Sequence, residues 1–209
     1  EFVLARASAD PETLQTRARA GERAAAGLRT LVLAFSPENG APAETPTLPA
    51  RLVPVALITF RERVRPDAPQ TMAYFAEQGV GIRIISGDDP RTVAAVAREV
   101  GIDCEAGFDA RELPVDEAEL AEVLEREHVF GRVTPDQKLG MVRALQSKGH
   151  VVAMTGDGVN DALAIKEADL GVAVDSAAQA TKAVARLILL DGRFDRLPGV
   201  VAEGRRVIA

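Results

Sequence analysis

Two acidic residues framed by glycines directly follow one apolar segment of the sequence. Asp157 and Asp161 lie in the segment TGDGVND, residues 155–161, between the apolar run 151–154 and a predicted helix. Two carboxylates at the mouth of a helix suit a hard cation that keeps several waters and also takes phosphate oxygens, as Mg²⁺ does. A calcium loop is excluded because its alternating oxygen ligands and its distant bidentate Glu are missing. The segment therefore predicts a magnesium site, and a purely structural turn is the alternative.

A second polar segment, SGDD at residues 86–89, follows the apolar run 82–85 and precedes Pro90. The Ser86 hydroxyl, a glycine at Gly87 that lets backbone N–H groups approach, and a helix N-terminus together favour a bound phosphate. An ordinary turn that caps a helix would use the same residue types. Both interpretations stay open from the segment alone.

Lys138 lies between these two segments, in the first turn of a helix that Pro135 is predicted to begin. A positive charge there opposes the helix dipole, so an anionic partner explains the residue better than helix stability does. Most lysines are solvated surface residues, and this remains the alternative for Lys138 taken by itself.

The elements that must hold these segments alternate in type from residue 52 onward. The strand candidates are 52–60, 82–85, 151–154, 170–174 and 187–190. The helix candidates are 67–78, 90–100, 116–127, 135–148, 161–168 and 176–185. This alternation predicts an α/β fold with a doubly wound, mostly parallel, Rossmann-like sheet, whose ligands bind at the carboxyl ends of the strands.

The beginning of the chain has a different pattern. Asp10 and Pro11 predict the start of a helix that runs to residue 26, and a strand over 28–35 follows. The segment 36–50 is rich in proline and glycine, which is typical of a linker. We therefore place a domain boundary at its end. The expected domains are 1–50 and 51–209.

The composition is that of an ordinary globular protein, with 47% hydrophobic residues, 27% charged residues and a net charge of −6. An acidic chain without a basic patch is not expected to bind nucleic acid. Cys104 is the single cysteine, which excludes an internal disulfide and, with two histidines, a standard zinc site. No apolar run approaches the ~20 residues that cross a bilayer, so the chain as given is expected to be soluble. Its ends predict a fragment of a longer protein.

The order of hydroxyl, lysine and paired acids resembles the later motifs of the haloacid-dehalogenase-like phosphotransferases. Within that superfamily the segment MTGDGVNDA, residues 154–162, is similar to the hinge motif of P-type ATPases. The segments 85–88 and 132–138 match that family too, and the resemblance covers 52–209. Residues 1–50 look like the tail of the family's nucleotide-binding domain.

The resemblance implies roles for individual residues. Lys138 and Ser86 would hold the phosphoryl oxygens, Asp157 and Asp161 would hold Mg²⁺, and Asn160 would help to order the metal and the phosphate. Asp88 and Arg132 resemble residues on the ribose side of ATP, with Gly87 in the same loop. Arg29 would contact a nucleotide phosphate, although it could also be an ordinary arginine on an exposed strand.

The resemblance also implies what lies outside the chain. In the family an aspartate in an Asp-Lys-Thr-Gly-Thr segment forms an aspartyl phosphate, and this chain contains no such segment. We therefore expect the isolated chain to be inactive. The full protein is expected to be an integral membrane pump with this part in the cytoplasm, working with the rest of its own polypeptide. Its transported cation, expected to be Ca²⁺, would bind in membrane helices elsewhere.

Two other functions are compatible with the same fold. A soluble phosphatase of the superfamily would have an Asp-x-Asp segment near its start, and residues 1–80 contain none. A non-catalytic nucleotide-binding regulatory module would have no need for Lys138, Asp157 and Asp161 together. Both stay as alternatives to the pump.

Overall fold

The computed structural model describes residues 4, 7, 10–37, 49, 51–61 and 63–208. Its contacts divide the chain into two compact units, Glu1–Arg63 and Val64–Ala209, and each is described by itself. Most of the linker expected over 36–50 lies outside the described residues, and the boundary after residue 50 stays a prediction.

The first unit contains one helix and a two-stranded antiparallel ribbon. Helix α1 covers Pro11–Ala25, and its N-terminus is capped by Asp10, whose carboxylate accepts a hydrogen bond from the Thr13 N–H at 2.7 Å. Strand β1, Arg29–Phe35, pairs with strand β2, Val53–Phe60. The apolar run 52–60, expected with the parallel strands, therefore belongs to the antiparallel ribbon.

One face of this ribbon is apolar and open. Side chains alternate across a strand, and in β1 the outward positions carry Leu31, Leu33 and Phe35, each about half exposed. Ile58 lies opposite Leu31 and is also exposed. The ribbon thus presents a continuous apolar surface within the first unit.

The second unit contains two parallel three-stranded sheets, which confirms the predicted α/β class. The first sheet has the order β3-β5-β4, and the second has the order β6-β7-β8. The strands are β3 Ile84–Ile85, β4 Phe108–Asp109, β5 Val129–Gly131, β6 Ala153–Gly156, β7 Leu170–Val174 and β8 Leu187–Leu189. The helices are α2 Ala68–Glu77, α3 Pro90–Glu99, α4 Glu117–Arg126, α5 Pro135–Ser147, α6 Ala162–Glu167, α7 Gln179–Val184 and α8 Leu197–Ile208.

Helix α5 contributes to the cores of both sheets. Its Met141 belongs to a buried cluster with Phe130 of the first sheet, whereas its neighbour Val142 belongs to a cluster with Met154 of the second. Ile85 on β3 packs against both clusters. Strands β3 and β6 therefore lie in a shared apolar environment, although each is the end strand of its own sheet in the described structure.

Several strands differ from their predicted bounds. The ladder of β3 uses only residues 84 and 85 of the predicted 82–85, and β6 begins two residues later than the predicted 151–154. Strands β4 and β5 were missing from the strand candidates. They contain two and three residues, which is too short for apolar periodicity to reveal.

Candidate functional site

The loop after β6 closes on the side chain of Asp161. The Gly158 N–H donates a hydrogen bond to Asp161 Oδ2 at 3.0 Å. A Cβ added to Gly156 would lie 2.7 Å from the Asp161 side chain, so this position accepts only glycine without a rearrangement. The glycines of the segment 155–161 thus allow the backbone to fold tightly around one carboxylate.

Lys138 and Asp161 form an ion pair between α5 and this loop. The Lys138 Nζ donates to Asp161 Oδ1 at 2.6 Å, and the two side chains are only 14% and 9% exposed. Lys138 therefore has an anionic partner within the chain, as its position in the first turn of the helix indicated. Because the pair is largely withdrawn from water, loss of either member would leave an uncompensated charge.

Asp157 differs from Asp161 in its surroundings. It is exposed, and within the described structure its carboxylate accepts no hydrogen bond, although its backbone carbonyl accepts one from Ala178 N at 2.9 Å. Asn160 in the same loop is also exposed. The loop therefore offers one open carboxylate beside one that already holds two partners.

Thr181 supports the Asp157 loop from α7 and was not anticipated from the sequence. Its side chain is fully buried, and its hydroxyl donates to the Gly158 carbonyl oxygen at 2.8 Å. A threonine on a short helix carries no signal of such a role by itself. The only available hint was that α7 follows β7 and must pack near the neighbouring strand end.

The loop after β3 is hydrogen-bonded to the end of β5. Ser86 N donates to the Phe130 carbonyl at 3.0 Å, and Val133 N donates to the Ser86 carbonyl at 2.9 Å. The Ser86 Oγ accepts from Asp88 N at 3.1 Å. Gly87 is exposed, and a Cβ added there would meet only the Val133 carbonyl oxygen at 4.0 Å, so the fold does not require glycine at this position.

Arg132 lies between two aspartates, Asp89 at the start of α3 and Asp109 at the end of β4. Its Nη1 donates to Asp109 Oδ2 and its Nη2 to Asp89 Oδ2, both at 2.6 Å. The pKa of Asp109 lies well below its usual range, chiefly because Arg111 donates a hydrogen bond to its carboxylate. Partial burial raises this pKa, whereas the positive charge of Arg132 lowers it. The pKa of Asp89 is lowered mainly by its hydrogen bond with Arg91. Neither partner of Arg132 was predicted.

The predicted site residues thus fall into three groups. Lys138, Asp161 and Asp157 meet at the end of β6, while Ser86, Gly87, Asp88 and Arg132 meet where the ends of β3 and β5 are joined. Arg29 starts β1 and belongs to the first unit. The two groups of the second unit are linked through α5, which begins beside the β5 loop and carries Lys138.

The described residues contain no cluster of three His, Cys, Asp or Glu side chains that could hold a metal ion unaided. Mg²⁺ typically needs only one or two carboxylates, and takes its remaining ligands from water and phosphate. The donor set at Asp157 and Asp161 fits such a metal.

A family model matches most of the chain. The profile described as "Hydrolase: haloacid dehalogenase-like hydrolase" matches residues 2–169. The chain belongs to this family. The resemblance stated from the sequence motifs is thereby confirmed, together with the predicted fold class.

Curated relatives within the family are ion-transporting ATPases. The "Calcium-transporting ATPase CtpE" of Mycolicibacterium smegmatis is 52% identical over 184 residues, which cover 88% of this chain and 23% of that protein. The "Magnesium-transporting ATPase, P-type 1" of Salmonella typhimurium is 36% identical over 186 residues, which cover 87% of this chain and 20% of that protein. The chain spans about a fifth to a quarter of the length of these relatives.

A solved structure shows the same fold. Its description is the catalytic domain of the CPx-ATPase CopB-B, studied upon nucleotide binding, and it matches with a TM-score of 0.52 and 24% identity over 71% of this chain and 50% of that chain. In the part of this chain that the structure describes, no helix is both long and apolar enough to span a membrane.

Proposed function

We propose that this chain is part of a P-type ATPase that drives a cation across a membrane by forming and hydrolysing an aspartyl phosphate. The observation that carries the proposal is the withdrawn Lys138–Asp161 pair beside the open carboxylate of Asp157. Phosphoryl transfer depends chiefly on positioning and on neutralising charge, and this arrangement offers a fixed cation and a metal position. The relatives that align with most of the chain are named as ATPases that transport calcium or magnesium.

Lys138 and Ser86 would hold the oxygens of the phosphoryl group. Lys138 is fixed by Asp161, so its charge needs little reorganisation when a phosphate arrives. The Ser86 backbone is hydrogen-bonded to Phe130 on β5 and to Val133 just after it, and its hydroxyl oxygen accepts from the Asp88 N–H. Both residues therefore present donors from rigid elements.

Asp157 would be the principal ligand of Mg²⁺, and Asp161 would be the second carboxylate. Each oxygen of Asp161 already accepts one hydrogen bond but keeps a further lone pair. Asn160, exposed in the same loop, would help to order metal and phosphate. When bound, Mg²⁺ would neutralise charge on the phosphoryl oxygens.

The nucleophilic aspartate would come from a strand that precedes this chain in the full protein. Strands β3 and β6 are both end strands, and Ile85 on β3 packs against the cluster that contains Met154 on β6. An additional parallel strand between them would join the two sheets and place its carboxyl end beside Lys138 and Asp157. Without it the isolated chain would neither autophosphorylate nor hydrolyse ATP at a useful rate.

Asp88, Gly87, Arg132 and Arg29 would bind ATP. The first three lie in the joined loops after β3 and β5, where Gly87 leaves room for a ligand against the backbone. Arg29 would contact a nucleotide phosphate. The transported ion, proposed to be Ca²⁺, would bind in membrane helices beyond this chain, which would itself lie on the cytoplasmic side.

Labelling of the full-length protein tests this proposal. Membranes that contain it are given Mg²⁺ and ATP labelled at the γ-phosphate while added cations are varied, and the labelled protein is then treated with hydroxylamine. We expect a label that is sensitive to hydroxylamine, depends on one cation, and is lost in Asp157→Asn but kept in Asp175→Asn, a surface acid paired with Lys182. No label with any cation, in a protein that still binds ATP, would refute the pump.

A further inference from the structure

Arg132 occupies a backbone conformation that its side chain disfavours. With φ at 57°, it is the one non-glycine residue with positive φ in the described parts of the chain. Its N–H donates to the Asp88 carbonyl at 2.8 Å. The preceding residue, Gly131, packs so closely on Pro90 that a Cβ would lie 2.4 Å from the proline Cα. The contacts of the two neighbouring loops therefore hold Arg132 in this conformation. Strained backbone conformations of this kind cluster at functional sites.

The conformation directs the Arg132 guanidinium to a position between two carboxylates. Asp89 comes from the start of α3 and Asp109 from the end of β4, so three separate segments meet at one side chain. The Arg132 side chain is 17% exposed, and those of Asp109 and Asp89 are 16% and 22% exposed. The cluster is partly open, so a ligand can reach it.

The two aspartates differ in what else they do. Asp89 caps α3 through Arg91 N at 3.0 Å, so a replacement that cannot cap would disturb a whole helix. Asp109 accepts from Arg111 N at 3.1 Å and caps only the short turn Ala110–Glu112. Asparagine caps as well as aspartate does. Asp109→Asn would therefore remove the charge that faces Arg132 and Arg111 and keep the turn.

The hydrogen-bonding groups of the cluster indicate what it would bind. Two carboxylates flank Arg132, and each is also paired with an arginine of its own, Asp89 with Arg91 and Asp109 with Arg111. A sugar hydroxyl can donate a hydrogen bond to a carboxylate and accept one from a guanidinium. The cluster is suited to a neutral polyhydroxyl group.

We propose that Asp109 is a positioning residue that fixes the Arg132 guanidinium for the ribose of ATP. This inference rests on the proposed function and assigns one further residue to the nucleotide site. Asp109 acts through Arg132 and touches no reacting atom. Its removal should therefore weaken recognition of the nucleoside without impairing the transfer of the phosphoryl group.

Two phosphoryl donors distinguish these effects in the full-length protein. We expect Asp109→Asn to raise the KM for ATP about tenfold and to change kcat less than twofold. Phosphoenzyme formation from acetyl phosphate, which has no nucleoside, should stay within twofold of wild type, and this also shows that the variant is folded. Asp109→Glu, which keeps the charge, should recover part of the ATP affinity. Asp103→Asn, which removes an exposed acid six positions earlier in the sequence, is the control and should leave both donors unaffected.

A double-mutant cycle isolates the coupling to Arg132. Arg132→Gln should raise the KM for ATP, and adding Asp109→Asn to it should cause no further rise. Equal losses with ATP and acetyl phosphate, an unchanged KM in Asp109→Asn, or additive effects of the two substitutions would each overturn the inference. A wild-type protein that forms no phosphoenzyme from either donor would instead refute the proposed function, and the inference would fall with it.

Discussion

The Lys138 Nζ lies 2.6 Å from Asp161 Oδ1 and joins the first turn of α5 to the loop after β6. The same carboxylate receives the Gly158 N–H on its other oxygen. One aspartate therefore positions both the lysine and the loop that carries Asp157. The proposed phosphate and metal positions thus depend on a single carboxylate.

Replacement of Lys138 should abolish most of the phosphoryl transfer. We expect Lys138→Gln to lower phosphoenzyme formation from ATP by about 10²–10³-fold, because a fixed donor to developing charge is typically worth that much. Lys138→Arg keeps the charge but replaces the compact ammonium with a planar guanidinium, so it should recover only part of the rate. The rate of labelling in membranes is the measurement. Lys182→Gln, which breaks an exposed pair with Asp175, is the control, and equal rates in both variants would contradict the role of Lys138.

Thr181→Val should weaken Mg²⁺ binding, although Thr181 is not a proposed metal ligand. Valine has nearly the same shape but removes the hydroxyl that donates to the Gly158 carbonyl, which would then keep only the Asp161 N–H at 3.1 Å, at a cost of about 0.5–1.5 kcal/mol. We expect the Mg²⁺ concentration for half-maximal phosphorylation to rise, since Asp157 lies beside Gly158. Thr181→Ser keeps the hydroxyl and should stay close to wild type. A magnesium titration that does not separate Val from Ser would show that the hydrogen bond has no part in metal binding.

Two glycines near the β3 loop should respond in opposite ways to alanine. Gly131→Ala would place a Cβ 2.4 Å from the backbone N and Cα of Pro90, and we expect a sharp loss of folded protein, seen as rapid digestion in limited proteolysis. Gly87→Ala meets only one atom, at 4.0 Å, and should fold normally. Its methyl group would instead obstruct the ligand, so ATP should bind more weakly. Normal ATP affinity in Gly87→Ala would remove Gly87 from the site.

The acid stability of the protein should depend on Asp109. Its pKa is lower in the folded protein than in the unfolded chain, where aspartate titrates near ~3.9. A depressed folded pKa gives stability that is fully present above the unfolded pKa and is lost as the pH falls through the folded pKa. The stability difference between wild type and Asp109→Asn should therefore be constant from about pH 5 to 8 and shrink below about pH 4.

Heat inactivation after incubation at each pH measures this difference. Samples of full-length protein are returned to neutral pH and assayed for the phosphoenzyme relative to their own unheated controls. Asp103→Asn should follow wild type throughout. A gap between wild type and Asp109→Asn that persists unchanged at the lowest pH would show that the charge of Asp109 is not its source.

The sequence predicted the helices of the second unit better than its strands. Helix α5 begins at Pro135 as expected, because Thr134 caps it and Gln137 completes a capping box, signals that are local in sequence. Strands β4 and β5 escaped prediction because a strand of two or three residues is defined by its neighbours and has no periodicity of its own. The parallel arrangement followed from the alternation of elements.

The sequence indicated individual candidate residues but not most of the contacts between them. The position of Lys138 against the helix dipole indicated an anionic partner, and Asp161 is that partner. Arg132 was recognised by its motif, but Asp109 was not, because it lies 23 positions earlier on a strand that could not be predicted. Thr181 was also missed, because only tertiary packing brings its hydroxyl to the Gly158 carbonyl.

The open apolar face of the β1–β2 ribbon has a consequence for anyone who purifies this chain alone. Leu31, Leu33, Phe35 and Ile58 are half in water on a ribbon whose edges could also pair with another copy. Copies of the free chain would bury these faces against each other as their concentration rises. Dimers or larger species seen with the isolated chain would then result from hydrophobic association through this surface. They would say nothing about how the intact protein assembles.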